Sequence, residues 1–378
     1  MSTLLHEIEQ SARRSSRELD RLLAERDFPI VEGRNVTFVF RGEAEAVRLQ
    51  HWIHGLQTAQ PLSRIHGTDL WVLTIDLPEG SRMEYKLELE LYGRKRLVQD
   101  PLNPHLARDP YGANSVVYGA GYSPPEWTLE DPEARRGEIL ESWLPSSVFQ
   151  ENRRVQVYLP ARFRKTRRYP LLVVHDGDDY VRFANLQTVL DNLIHRLEIP
   201  PLIVALTQSP NRLGEYAADE QHSKYLVHDL LPKLEHDYPL VPKPSARGML
   251  GASFGAVASL STAWRFPGVF GQIGLQSGSF VFTDIGEHQR GPVFDPVVKW
   301  VNEFRRNPGR PAERVYMSCG KYESMIYYNR SLLPLLQSTG MHVSFSEAPD
   351  GHNWENWRDR LREGLSFLFP GPLWHVYE

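Results

Sequence analysis

The stretch Gly251-Ala252-Ser253-Phe254-Gly255 decides how the rest of the chain is read. It follows a short apolar run, Gly248-Met249-Leu250, and precedes small residues that suit a helix start, Ala256-Val257-Ala258-Ser259-Leu260. Strand, then G-x-S-x-G, then helix is the context of a nucleophile elbow, where a serine sits at the tip of a sharp turn. The flanking glycines permit a backbone reversal that side chains would block. The N–H groups that open the helix face the same spot and favour negative charge. The pentapeptide alone is a short pattern, and its weight comes from what surrounds it.

From residue 137 onward, apolar runs alternate with helical stretches. The runs are Val155–Leu159, Leu171–Val174, Leu202–Leu206, Gly248–Leu250, Gln272–Leu275 and Val315–Ser318, with helices expected at 183–196, 221–237 and 255–265. Runs without polar alternation imply strands buried on both faces, hence an α/β domain with a mostly parallel central sheet. Residues 35–120 differ. Val36–Phe40, Val47–Trp52, Trp71–Ile75 and Tyr85–Leu89 are strand-like runs, several alternating apolar with polar, and Gly or Pro punctuates the gaps. This spacing predicts a smaller β-sandwich of the immunoglobulin-like kind. The expected organisation is an amphipathic helix within 1–27, a sandwich over 28–120, a Pro- and Gly-rich linker over 121–136 and a catalytic domain over 137–378.

A serine hydroxyl needs a base in hydrogen-bond reach, and the base needs an orienting acid. His352, in Asp350-Gly351-His352-Asn353 before a helix expected at 354–368, is the candidate base among 14 histidines. The acid should follow the strand at 315–319, which selects Glu323; Asp350 is the rival. The oxyanion hole needs two backbone N–H groups. Phe254 supplies one, and Asp178, in the loop after strand 171–174, is the candidate for the other. Arg212, Tyr216 and His175 are candidates for substrate contact, with Arg212 meeting an acyl or anionic group or forming an ion pair with Glu215 or Asp219. The acids of loop 175–180 lack the Asp-x-Asp-x-Asp-Gly pattern of a Ca²⁺ site, and no metal or cofactor is expected.

Several motifs together resemble the esterase D superfamily of α/β-hydrolases, and most of all the enterochelin (ferric enterobactin) esterases. They are His175-Asp176-Gly177, Asn211-Arg212 with Glu215-Tyr216, Leu230-Leu231-Pro232, Gly251–Gly255, Gln276-Ser277-Gly278-Ser279 and Gly351-His352-Asn353, within residues 137–370. The resemblance implies an α/β-hydrolase fold, nucleophile Ser253, histidine His352 and acid Glu323. It implies hydrolysis of ester bonds, in this branch those of a tri-catecholate siderophore inside the cell, with release of iron. The chain departs from the pattern at His175, where an apolar residue is more usual. The 35–120 region resembles the N-terminal modules of glycogen-branching enzymes, through Trp71, Leu77-Pro78-Glu79-Gly80, Tyr85, Asp100-Pro101-Leu102-Asn103 and Asn114-Ser115. Two further readings follow from these likenesses. One is a feruloyl or acetyl carbohydrate esterase with a glycan-binding module; the other is a non-catalytic carbohydrate-binding scaffold.

Composition narrows the partners. The 378 residues are 41% hydrophobic and 24% charged, with a net charge of −4. The acidic balance argues against a nucleic-acid partner, which calls for basic excess. One cysteine, Cys319, excludes an intramolecular disulfide. No run approaches the ~20 apolar residues of a membrane helix. Residues 1–23 have no apolar core of signal-peptide length, so a cytoplasmic enzyme with a small-molecule ester substrate is expected. A helix over 3–25, with Leu4, Leu5, Ile8, Leu19, Leu22 and Leu23 near helical spacing, would pack within the protomer or exchange between chains, leaving oligomerisation open.

Overall fold

The structure is a computed structural model that describes residues 7–8, 10–11 and 15–371. It divides into two compact units. The first holds the chain up to Ser123, together with residues 321–323 and 348–353 from much later in the sequence. The second holds the remainder.

The first unit contains two antiparallel sheets. One runs in the order β1 (Ile30–Glu32), β2 (Asn35–Arg41), β6 (Leu70–Asp76), β5 (Ser63–Arg64). The other runs β4 (Ala59–Pro61), β3 (Ala46–His51), β7 (Arg82–Leu91), β10 (Gly112–Tyr118), β9 (Leu106–Asp109), with β8 (Arg94–Val98) paired to β7. Alternation along β2 and β7 sends Val36, Phe38, Phe40, Met83, Tyr85 and Leu87 into one shared core. There the Phe38 ring meets Tyr85 edge-on at 4.8 Å. The Asp100–Asn103 turn is a buried polar lock on that core. Tyr85 donates to Asp100 at 2.7 Å, and the Asn103 amide donates to the Tyr85 hydroxyl at 3.0 Å and to the Val116 carbonyl at 2.9 Å. Helix α1 (Ser16–Ala24) seats Leu19 and Leu23 against Phe28, Ile30, Val39 and Leu70. Each buried leucine contributes about 2 kcal/mol. Residues 3–6, 9 and 12–14 of the helix expected at 3–25 lie outside the described residues.

The second unit is built on an eight-stranded sheet of order β11-β12-β14-β13-β15-β16-β17-β18. Its strands are β11 (Glu138–Ser146), β12 (Glu151–Leu159), β13 (Leu171–His175), β14 (Ile203–Thr207), β15 (Arg247–Ala252), β16 (Gln272–Gln276), β17 (Arg314–Gly320) and β18 (His342–Ala348). Pairing is parallel from β14 through β17, while β11 and β12 join antiparallel. The unalternating apolar runs have their explanation here. Leu171 and Val173 enter one core cluster, while Leu172 and Val174 enter another on the opposite face. Helices α4 (Phe254–Arg265), α5 (Asp295–Arg306) and α6 (Ile326–Ser338) cover the first face. Helices α3 (Leu186–His195) and α7 (Leu361–Leu368) cover the second, and α2 (Gly177–Phe183) follows β13 directly.

Three details differ from the sequence expectation. The expected linker is anchored in part, because the Asn192 amide donates to the carbonyls of Trp127 and Leu129 at 2.9 and 2.8 Å and Thr128 between them is buried. The helix expected at 354–368 is two helices, Trp354–Asp359 and α7. The Trp357 carbonyl at the break accepts from Gln276 at 2.8 Å, which diverts it from a regular helical ladder. The stretch expected as one helix over 221–237 contains a π-helical turn at Tyr225–Leu230, just ahead of Pro232, which has no N–H to donate.

Candidate active site

Strand β15 delivers the chain to Ser253, which takes φ 57° and ψ −119° before α4 begins. A non-glycine residue in that region stores strain that its surroundings must hold. The hold is visible on both sides. The Ser253 N–H donates to the Gln276 carbonyl at 2.9 Å, and the Ser279 N–H donates to the Ser253 carbonyl at 3.2 Å. The two glycines have separate steric reasons. A Cβ on Gly251 would stand 2.3 Å from the backbone C and O of Gly255. A Cβ on Gly255 would stand 3.2 Å from the His175 Cβ. The half-buried Ser253 hydroxyl lies 3.1 Å from that of Ser279. The Gln276–Ser279 motif therefore supports the elbow. Gln276 itself is fixed at its other end, its side-chain oxygen accepting from Tyr180 at 2.7 Å.

Beneath the elbow lies the turn His175-Asp176-Gly177. Asp176 is fully buried in a left-handed conformation, φ 54°. Gly177 is required because its Cβ would stand 2.5 Å from the Leu206 Cα. A buried carboxylate needs a partner, and Arg212 is that partner, its Nε 2.9 Å from both Asp176 oxygens and its Nη2 at 2.8 Å. Arg212 thus pairs with Asp176 rather than with Glu215 or Asp219. It also approaches the Ala252 carbonyl at 3.5 Å and keeps about 30% of its side chain exposed. Glu215 is occupied elsewhere, by Arg153 at 2.8 Å.

His175 and Tyr216 do not stand where substrate contact would require. Both are fully buried. His175 Nδ1 lies 3.1 Å from the Ser259 hydroxyl, and its Nε2 lies 3.1 Å from Nε2 of His222. Burial first, and His222 second, push its pKa well below the usual histidine value, so the ring is neutral. Tyr216 presents its hydroxyl to the Asp176 N–H at 3.4 Å. Both brace the floor of the elbow. Asp178 lies in the first turn of α2, where N–H groups have no intrahelical acceptor. Its carboxylate is taken by Arg154 at 2.5 Å. Phe254 opens α4 in the same way. Of the acids in this loop, Asp176 is paired with Arg212 and Asp178 with Arg154. Among the described residues no His/Cys/Asp/Glu group is arranged for a metal.

The candidate acid and base come from two loops of the first unit. Glu323 follows β17 and His352 follows β18. His352 Nδ1 is 2.5 Å from Glu323 Oε2, and Glu323 is nearly buried while 36% of the His352 side chain is exposed. With Nδ1 donating to a carboxylate, Nε2 becomes the basic nitrogen. Asp350 is turned to another task. Its Oδ1 accepts from the Gly351 N–H at 2.6 Å and the Asn353 amide at 2.8 Å, and lies 3.5 Å from Arg82. The structure thus brings Glu323 and His352 together in the first unit. It gathers Ser253, Phe254, Asp178 and Arg212 around β13 and β15 of the second.

The Esterase family model, "Putative esterase", matches residues 146–368. The chain is similar to the iron(III) enterobactin esterase of Escherichia coli O6:H1, 27% identical over 351 residues, covering 84% of each chain. It also resembles a feruloyl-esterase-bearing xylanase of Xylanibacter ruminicola, 23% identical over 63% of this chain and 32% of that one. Among solved structures, ferric enterobactin esterase from Salmonella typhimurium superposes with a TM-score of 0.72 at 20% identity, covering 88% of this chain and 93% of that one. That likeness assigns the α/β-hydrolase fold to the catalytic part. A strained serine on an elbow, a carboxylate-bound histidine and a family match over more than half the chain converge: this protein belongs to the esterase family and is a carboxylic ester hydrolase.

Proposed function

We propose that the chain is a serine esterase acting through an acyl-enzyme on a siderophore of the enterobactin class. Ser253 Oγ attacks the ester carbonyl carbon while His352 Nε2 takes its proton. The Phe254 and Asp178 N–H groups hold the oxyanion. Collapse of the tetrahedral intermediate expels the alcohol, which takes the proton from His352. Water then repeats the sequence on the acyl-enzyme and restores Ser253. Glu323 stays ionised and stabilises the imidazolium that forms in each half. The observation that carries this reading is the 2.5 Å contact between His352 and Glu323, two residues from separate loops that only folding joins.

The siderophore substrate is supported by extent. The enterobactin esterase of E. coli O6:H1 matches 84% of this chain, a share larger than everything after Ser123, so the similarity extends into the sandwich. The relative with a feruloyl esterase part matches 63%. Arg212, part exposed beside the elbow, is suited to an anionic group of the substrate while remaining bound to Asp176. No helix among the described residues is long and apolar enough to cross a membrane, and we place the enzyme in the cytoplasm. A carbohydrate acyl ester is the second reading, favoured by the half-exposed Trp52 on the first unit.

The test is turnover of ferric and iron-free catecholate esters against feruloyl and acetyl sugars on one preparation, with p-nitrophenyl esters as a general probe. Ser253→Ala is expected to lower kcat by about 10⁴–10⁶ and to abolish organophosphate labelling. Labelling that persists in Ser253→Ala would overturn the nucleophile. Preference for feruloyl or acetyl sugars would move the substrate to the second reading.

A further inference from the structure

The loops that carry Glu323 and His352 are held by the N-terminal sandwich. Each receives one backbone hydrogen bond from it. The His54 N–H donates to the Tyr322 carbonyl at 2.7 Å, and the Arg82 N–H donates to the Pro349 carbonyl at 3.1 Å. The loops are also tied to each other, Lys321 N–H to Ala348 O at 2.7 Å and Tyr322 N–H to Asp350 O at 3.0 Å. Side chains repeat the pattern. The hydroxyls of Tyr322 and Ser81 are 2.6 Å apart, and the Tyr322 ring packs on the sandwich core. Arg82, at the start of β7, is wholly buried, 2.9 Å from Glu84 and 3.5 Å from Asp350. A buried guanidinium is tolerated only while its carboxylate partners stay in place, so Arg82 and Asp350 fix each other. Asp350 in turn receives the Gly351 N–H and the Asn353 amide, the two residues that flank His352.

We propose that the sandwich is the element that holds the acid–base pair, with Arg82 (through Asp350) and Tyr322 (next to Glu323) as positioning residues. The proposal rests on His352 and Glu323 being the base and acid. Neither Arg82 nor Tyr322 touches the reacting atoms. They set the His352–Glu323 distance, and a loosened pair loses rate without losing substrate. A misplacement near 1 Å costs about 10²-fold in rate. Ionised Asp350 is required for the Arg82 link. Burial pushes its pKa up to about 6, so that link is weakened below that pH. The groups facing Asp350 are Arg82 and Glu84 from β7, Tyr322 from the loop after β17, and Asn353 in its own loop.

The experiment uses the full-length protein and a signal that needs no substrate. A low-field proton NMR resonance from His352 Nδ1–H is assigned by its loss in His352→Gln. It is then followed in Arg82→Met, Arg82→Lys and Tyr322→Phe, beside kcat and KM on a p-nitrophenyl ester and the circular dichroism spectrum. Folded Arg82→Met and Tyr322→Phe are expected to broaden the resonance and to lower kcat tenfold or more at unchanged KM, with partial recovery in Arg82→Lys. An unchanged resonance and kcat in folded Tyr322→Phe and Arg82→Met would overturn the proposal. If Arg82→Met does not fold, Tyr322→Phe decides alone. If the resonance responds as expected but the unmutated protein hydrolyses no ester, the positioning stands and the catalytic reading fails.

Discussion

Glu323 and Asp350 are both buried carboxylates near His352, and their surroundings give them different work. Glu323 meets the ring at 2.5 Å, while Asp350 faces Arg82 and the backbone of its own loop. Glu323→Gln is therefore expected to lower kcat by about 10²–10⁴, because an amide cannot stabilise the imidazolium. Asp350→Asn, which loosens the pair only through the Arg82 link, should cost about tenfold, and the two measured side by side check the assignment. Equal losses would count against it. Asp350 also makes stability depend on pH. Burial raises its folded pKa from 3.8 to about 6, so between these values the folded state keeps a proton that the unfolded chain has released. Its contribution to stability therefore falls as pH rises through that window and is lowest above it, by on the order of 1–3 kcal/mol. Urea titrations near pH 4.5 and pH 7 should show Asp350→Asn gaining on the unmutated protein as pH rises; a gap independent of pH would refute the shift.

Among the elements, the elbow is the least forgiving. The Gly251 position faces the backbone of Gly255 at 2.3 Å, with no flexible side chain there to yield. Gly251→Ala must move either β15 or α4. It is expected to destabilise the fold by about 1–3 kcal/mol or more and to remove most ester turnover, checked by thermal melting and p-nitrophenyl ester hydrolysis. A stable, fully active variant would show that the strained turn is dispensable. The central strands were readable as apolar runs because both faces of the sheet are covered, so Leu171–Val174 of β13 and Ile203–Leu206 of β14 are all apolar, with polar His175 and Thr207 only at the strand ends. Strand β11 was not readable in the same way. It is an edge strand carrying Glu138, Glu141 and Pro145 and exposing Trp143, and such residues guard an edge rather than fill a core.

For the whole molecule, the first unit includes nine residues, 321–323 and 348–353, that the sequence places far beyond it. A chain starting at Pro124 would keep its sheet and its elbow but deprive Glu323 and His352 of the sandwich contacts at Ser81, Arg82 and His54. Its kcat on p-nitrophenyl esters is expected to fall more than tenfold even where circular dichroism shows a folded domain. Full activity in the shortened chain would make the sandwich an accessory.

Chemistry that acts over a few adjacent residues was written in the primary structure. The elbow, the α/β alternation and the placing of His352 and Glu323 in loops after strands follow from short-range patterns, since periodicity and glycine sterics are local properties. What needed tertiary structure were the pairings between distant residues. Arg212 meets Asp176 rather than the nearby Glu215, and His175 and Tyr216 end up sealed beneath the turn instead of lining it. Arg82 finds Asp350 across more than 260 residues. A buried charge takes the partner that the packed core leaves within reach, and no spacing along the chain encodes that distance.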